Sequence, residues 1–272
     1  MSQSQNQNFF ARLGERIDET GSVVCVGLDP DQSRLPDEVR DADLPRWQFN
    51  RRIIDATHEH AACYKPNAAF YEDADGWRAL AETIAYAHGK DVPVIVDAKR
   101  ADIGNTARQY AESLQDLDAD AVTVNPYMGE DSLKPFLSTG LGVFILCRTS
   151  NPGGADIQNR ELEAGGTVYE HVARLASTWN ENDNVGLVVG ATAPDELEDI
   201  RRQVPSLPFL VPGVGAQGGD AEAAVEYGLN EDGVGVVNST RGIIFAGEDS
   251  DDWAGAAGQA AKRLKERLDQ FR

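Results

Sequence analysis

Cysteine, histidine and lysine are all scarce in this chain of 272 residues, and each shortage removes a class of function. The three cysteines, Cys25, Cys63 and Cys147, lie singly within or beside apolar, strand-like runs, and none has a second cysteine or a histidine at ligand spacing. They read as small core residues of a reducing compartment, not as a disulfide frame. The four histidines supply no metal site either: His58 and His60 are two apart on a helix-like stretch and face different directions, and His88 and His171 stand alone. Lysine occurs only at positions 65, 90, 99, 134, 262 and 265, and 25 basic residues face 45 acidic ones for a formal charge of −20. A surface of that sign repels polyanions, so neither nucleic acid nor an anionic membrane is an expected partner. No apolar run approaches the roughly 20 residues of a membrane-spanning helix. Met1 to Asn8 lack the basic start and apolar middle of an export signal, so a cytoplasmic location is expected. The acidity reads as adaptation to a high-salt cytoplasm, where carboxylates hold hydration and salt at about 1 M screens their repulsion over ~3 Å, with an acidic mesophilic protein as the alternative.

What the chain does contain is alternation. Apolar strand-like runs recur eight times, at Val23–Leu28, Ala61–Lys65, Val94–Ala98, Ala121–Asn125, Val143–Cys147, Gly186–Val189, Phe209–Val211 and Val234–Val237. Helical spacing occupies the intervals, including Trp47–His60, Trp77–His88, Ile103–Leu117, Thr167–Trp179, Asp195–Gln203 and Ala221–Tyr227, with a last stretch at Trp253–Leu268. Strand and helix in alternation imply an α/β fold with a parallel sheet, and eight units favour closure into a (β/α)8 TIM barrel over an open doubly wound sheet. One barrel domain over residues 1–272 is expected, with an extra helix at about 9–17 covering its N-terminal end.

In such barrels the chemistry sits at the C-terminal ends of the strands. Here those ends are polar almost throughout: Gly27-Leu28-Asp29-Pro30, Lys65-Pro66-Asn67, Arg148-Thr149-Ser150-Asn151-Pro152-Gly153-Gly154, Pro212 to Gly219, and Asn238-Ser239-Thr240-Arg241-Gly242. The third strand carries the densest group, Asp97-Ala98-Lys99-Arg100-Ala101-Asp102-Ile103-Gly104. Side chains alternate along a strand, so Asp97 and Lys99 are expected on one side of it, with Asp102 just above its end. A structural ion pair would also account for Asp97 and Lys99, and a helix N-cap for Asp102, but buried pairs stabilise poorly. The glycine-rich loop after strand seven, together with Arg241, occupies the place where barrels of this kind commonly hold a phosphate.

In order and combination these segments resemble the orotidine 5′-phosphate decarboxylase family, in its longer bacterial-type subgroup, over nearly the whole chain. Two positions depart from the usual pattern: Ala101 where glycine is usual, and Asn67 where the longer subgroup often has glutamine. The resemblance implies decarboxylation of orotidine 5′-phosphate to uridine 5′-phosphate in pyrimidine biosynthesis, without metal or other cofactor. It makes Lys99 the proton donor to C6 and sets Asp97 beside the substrate carboxylate. Asp102, with Ile103 and Thr106, would reach into the neighbouring subunit's site, so a homodimer is implied. Asp29 and Lys65 would bind ribose hydroxyls, Ser150 would contact the base and Pro212 would line the pocket, while Gln217 and Arg241 would hold the phosphate. Two alternatives remain at this point: a metal-dependent decarboxylase of the 3-keto-L-gulonate 6-phosphate type, which shares the Asp-x-Lys-x-x-Asp strand, and a noncatalytic phosphosugar- or nucleotide-binding barrel.

Overall fold

The computed structural model describes residues 8–214 and 219–272. Helix α1 (Phe9–Thr20) precedes strand β1 (Val24–Leu28), and the short α2 (Asp37–Arg40) and α3 (Pro45–Thr57) lead to β2 (Cys63–Pro66). The chain continues through α4 (Gly76–His88), β3 (Ile95–Arg100), α5 (Gly104–Asp116), β4 (Ala121–Val124), α6 (Glu130–Leu137) and β5 (Gly142–Arg148). It then runs through α7 (Val168–Thr178), β6 (Val185–Val189), α8 (Pro194–Gln203), β7 (Phe209–Pro212), α9 (Ala221–Glu226), β8 (Val236–Ser239), α10 (Arg241–Ile244) and α11 (Trp253–Leu268).

The strands lie parallel in the order β2-β1-β8-β7-β6-β5-β4-β3. The ends of that order meet: Tyr64 bridges Val94, Asn67 bridges Asp97, and the Tyr64 N–H donates to the Pro93 carbonyl at 3.0 Å. The result is the expected TIM barrel. Each strand is covered by helices outside and packed side chains inside, which is why β1, β2, β4 and β6 are buried at every residue. Helix α6, between the fourth and fifth strands, is not among the helices expected from the sequence. Its eight residues include Pro135, and a short segment with an internal proline lacks the sustained period by which helices are recognised.

Helix α1 closes the N-terminal end of the barrel. Phe9 and Phe10 meet Phe144 of β5 edge-on, with ring centroids 6.0 and 5.4 Å apart, and Arg16 donates to the carbonyls of His58 and Ala61. A second tie at this end centres on buried Asp120, whose carboxylate accepts from the Val94 N–H at 2.7 Å and His88 Nε2 at 2.8 Å, with Arg12 Nη1 also 2.8 Å away. With this end filled by side chains, the opposite end is left as the mouth.

Candidate active site

The mouth opens into a cavity of about 380 Å³, large enough for a nucleotide-sized ligand. Its wall combines Asp29, Lys65, Asp97, Pro212 and Arg241 of the expected set with Asn67, Asn238 and Thr240, all from the C-terminal ends of strands. Gly27 shapes the wall: a Cβ there would stand 1.9 Å from Thr240 Oγ1, so only glycine lets the start of the last loop lie against β1.

The centre of the site is one carboxylate gripped by two ammonium groups. Lys65 Nζ lies 2.9 Å from Asp97 Oδ2, and Lys99 Nζ lies 2.6 Å from Asp97 Oδ1. Burial alone would raise the pKa of Asp97, but the two lysines override it and hold the carboxyl far below the usual carboxylate range. Burial would likewise strip the proton from Lys65; Asp97 and Asp29 reverse this and hold its pKa above the ordinary lysine value. For Asp29 desolvation wins, and its pKa is raised despite Lys65. Asp29 Oδ1 is buried without a hydrogen-bond partner among the described residues, an unmet acceptor at the cavity wall.

Lys99 reaches Asp97 by a route that simple alternation does not describe. Its backbone has φ of 47°, in the left-handed region that a lysine rarely adopts. At the same place the pairing of β3 with β4 slips, from Val96↔Val122 to Arg100↔Val124, so the strand bulges. Thr123 of β4 secures the bulge: its Oγ1 accepts from the Lys99 N–H at 3.0 Å and donates to Asp97 Oδ1 at 2.8 Å. Thr123 is not among the site residues expected from the sequence, although it is the one hydroxyl in the otherwise apolar Ala121–Val124 strand. Ala101 is not among the residues with positive φ, so the departure from glycine there needs no special backbone freedom. Asn67 Oδ1 accepts the Ala69 N–H and so caps the turn after β2.

The remaining expected residues do not all meet. Asp102 Oδ1 accepts the N–H of its neighbour Ile103 at 2.8 Å, and Ile103, with no side-chain bond, occupies the N-cap of α5. Asp102, Ile103 and Thr106 are not among the residues lining the cavity of their own chain, and neither are Ser150 and Lys99, the latter meeting the wall through its ion pair with Asp97. Ser150 sits on the loop after β5, where its backbone crosses the end of β6; a Cβ on Gly190 would come within 2.9 Å of the Ser150 N. That loop is braced by Arg148, whose Nε is 2.6 Å from Glu196 Oε2, and by Asn159, which donates to Glu196 Oε1 at 2.8 Å. Gln217 lies outside the described residues.

Comparison with known proteins gives one consistent result. A profile of the orotidine 5′-phosphate decarboxylase / HUMPS family matches residues 22–255. Among the most similar curated relatives are the orotidine 5′-phosphate decarboxylases of Halorubrum lacusprofundi and Haloarcula marismortui. Each is 70% identical over 277 residues, covering 97% of this chain and 100% of the relative. Among solved structures, the orotidine monophosphate decarboxylase of Leishmania donovani superposes with a TM-score of 0.83 at 41% identity, covering 97% of this chain and 98% of the other.

Proposed function

This chain belongs to the orotidine 5′-phosphate decarboxylase family, and on that premise we propose that it is a carboxy-lyase converting orotidine 5′-phosphate to uridine 5′-phosphate through Lys99. The observation that carries the reading is the Asp97 carboxylate fixed between Lys65 and Lys99 at the barrel mouth.

Loss of carbon dioxide from C6 breaks the C6–carboxylate bond and leaves the electron pair in the plane of the pyrimidine ring, where the ring π-system delocalises it poorly. The barrier therefore falls mainly through fixed charge placed beforehand and through prompt protonation. The ammonium of Lys99 supplies both, since it stands beside the developing carbanion and transfers a proton to C6. Asp97, held ionised by its two lysines, grips the Lys99 side chain at 2.6 Å and orients it. In this reading Asp29, with its unmet Oδ1, and Lys65 take the ribose hydroxyls, Ser150 the base, and Pro212 the pocket wall. Arg241 and Gln217 take the phosphate. The phosphate is remote from C6, so its binding energy serves to orient the base.

The dimer belongs to the same proposal. Asp102 Oδ1 is engaged by the N–H of Ile103, and Ile103 is 55% exposed, with Tyr127 and Met128 beyond the end of neighbouring β4 at 83% and 42%. Apolar side chains gathered on one rim fit a second copy of the chain better than water. Residues 1–272 are taken as one barrel domain acting in the cytoplasm. Among the described residues no helix is long and apolar enough to cross a membrane.

The 70% identity to named orotidine 5′-phosphate decarboxylases weighs against the 3-keto-L-gulonate alternative. The strained Lys99 weighs against a noncatalytic barrel, because such a conformation costs about 1–3 kcal/mol and persists where function requires it. Incubation with orotidine 5′-phosphate should release carbon dioxide and uridine 5′-phosphate. No product, in a folded protein that binds the nucleotide, would leave the noncatalytic reading.

A further inference from the structure

The cavity holds a cation that the proposed set does not use. Arg34, in the turn after β1, lines the same wall as Arg241. Its guanidinium carbon lies 3.8 Å from the centroid of the Phe245 ring. Phe245 follows Arg241 by four residues, and its N–H donates to the Arg241 carbonyl, so both project from one helical face. Arg34 also forms a two-pronged pair with Glu248: Nε to Oε1 at 2.7 Å and Nη2 to Oε2 at 2.5 Å.

The charges of the wall show why this matters. Its carboxylates are Asp29, Asp31 and Asp97, and its cations are Arg34, Lys65 and Arg241. Lys65 is committed to Asp97. A phosphate monoester is a dianion near neutral pH, so Arg241 alone leaves about one charge unmatched inside a protein of formal charge −20. The planar fork that grips Glu248 is the fork that suits a phosphate.

We propose that Arg34 is a second phosphate-binding residue, held in reserve by Glu248 when the site is empty and transferred to the phosphate when substrate enters. This rests on the decarboxylase reading above and adds to it the residue that discriminates phosphorylated from unphosphorylated substrate. Phe245 serves as the pivot, since a guanidinium can slide over an aromatic face without losing it. Glu248 competes with the ligand, so removing its charge strengthens binding.

Steady-state kinetics on Arg34→Ala, Arg34→Lys and Glu248→Gln, using orotidine 5′-phosphate and orotidine, test the assignment. Arg34→Ala should raise KM for the phosphorylated substrate about tenfold or more with kcat far less affected, and leave the slow reaction of orotidine unchanged. Arg34→Lys should fall between, and Glu248→Gln should lower KM. Calorimetric titration with uridine 5′-phosphate and uridine repeats the comparison independently of turnover, so an enzyme inactive on orotidine 5′-phosphate would refute the decarboxylase reading while still reporting on Arg34. Unchanged affinity in Arg34→Ala would overturn the inference. So would a parallel loss of affinity in Arg34→Ala and Glu248→Gln, the signature of a structural clamp.

Discussion

The backbone N–H of Lys99 donates to the hydroxyl of Thr123 at 3.0 Å, from a backbone conformation that a lysine rarely adopts. The same hydroxyl donates to Asp97, so a single side chain on the neighbouring strand sets both the bulge and the carboxylate that the bulge serves. Thr123→Val keeps the volume and removes both bonds. A hydrogen bond to a charged group is worth ~1.5–3 kcal/mol, which corresponds to roughly 10–100-fold in rate if the geometry of Lys99 degrades accordingly. The expected result is a fall in kcat of that order with KM little changed, and substantial recovery in Thr123→Ser. Equal losses in both variants would mean that packing, not the hydroxyl, matters.

The proposal that two copies of the chain share each site can be tested by complementation. Lys99→Ala and Asp102→Ala chains should each be inactive alone, yet mixing should restore activity, because a mixed dimer rebuilds one intact site and loads both lesions into the other. Random exchange of equal amounts makes about half the dimers mixed, so activity should approach about a quarter of the wild-type value. A mixture that stays inactive after exchange has been verified would assign Asp102 to its own chain.

Salt should govern stability. With formal charge −20, dilution from about 1 M to about 0.1 M monovalent salt lengthens the Debye length from ~3 to ~10 Å and lets surface carboxylates repel one another. The melting temperature should fall on dilution, and KM for the anionic substrate should rise before unfolding sets in. A melting temperature flat across that range would detach the acidity from salt adaptation.

The closed end of the barrel carries a pH dependence of its own. The hydrogen bond to Asp120 raises the pKa of His88 against the opposing effect of burial. Burial pushes Asp120 upward, but His88, the Val94 N–H and Arg12 outweigh it and lower its pKa. The raised imidazole contributes stability fully below its ordinary value of 6.5 and loses it as pH rises through the folded value. The depressed carboxylate contributes above its ordinary 3.8 and loses that as pH falls through its folded value. Between about pH 6 and about pH 8 the wild type should therefore lose more melting temperature than His88→Gln. Parallel curves for the two proteins would show that the pair contributes nothing.

The barrel was legible in the sequence because parallel strands buried on both faces read as mainly apolar runs, and each of the eight strands overlaps one such run. The wall of the site was legible because charged residues at strand ends have few structural uses. What escaped notice depends on contacts between distant parts of the chain. The bulge at Lys99 is imposed by Thr123, 24 residues on, and carries no glycine to mark it. Arg34 and Glu248 are 214 residues apart, and each alone looks like an ordinary surface charge.

The central claim is that the ammonium of Lys99 performs the chemistry, and Lys99→Ala tests it most directly. The variant should fold, since its side chain is 48% exposed and Lys65 still pairs with Asp97, and it should still bind uridine 5′-phosphate. Its rate of carbon dioxide release from orotidine 5′-phosphate should fall by several orders of magnitude, because even one preorganised donor is commonly worth ~10²–10³ and Lys99 is also the proton source. A folded Lys99→Ala protein that decarboxylates at close to the wild-type rate would contradict the account.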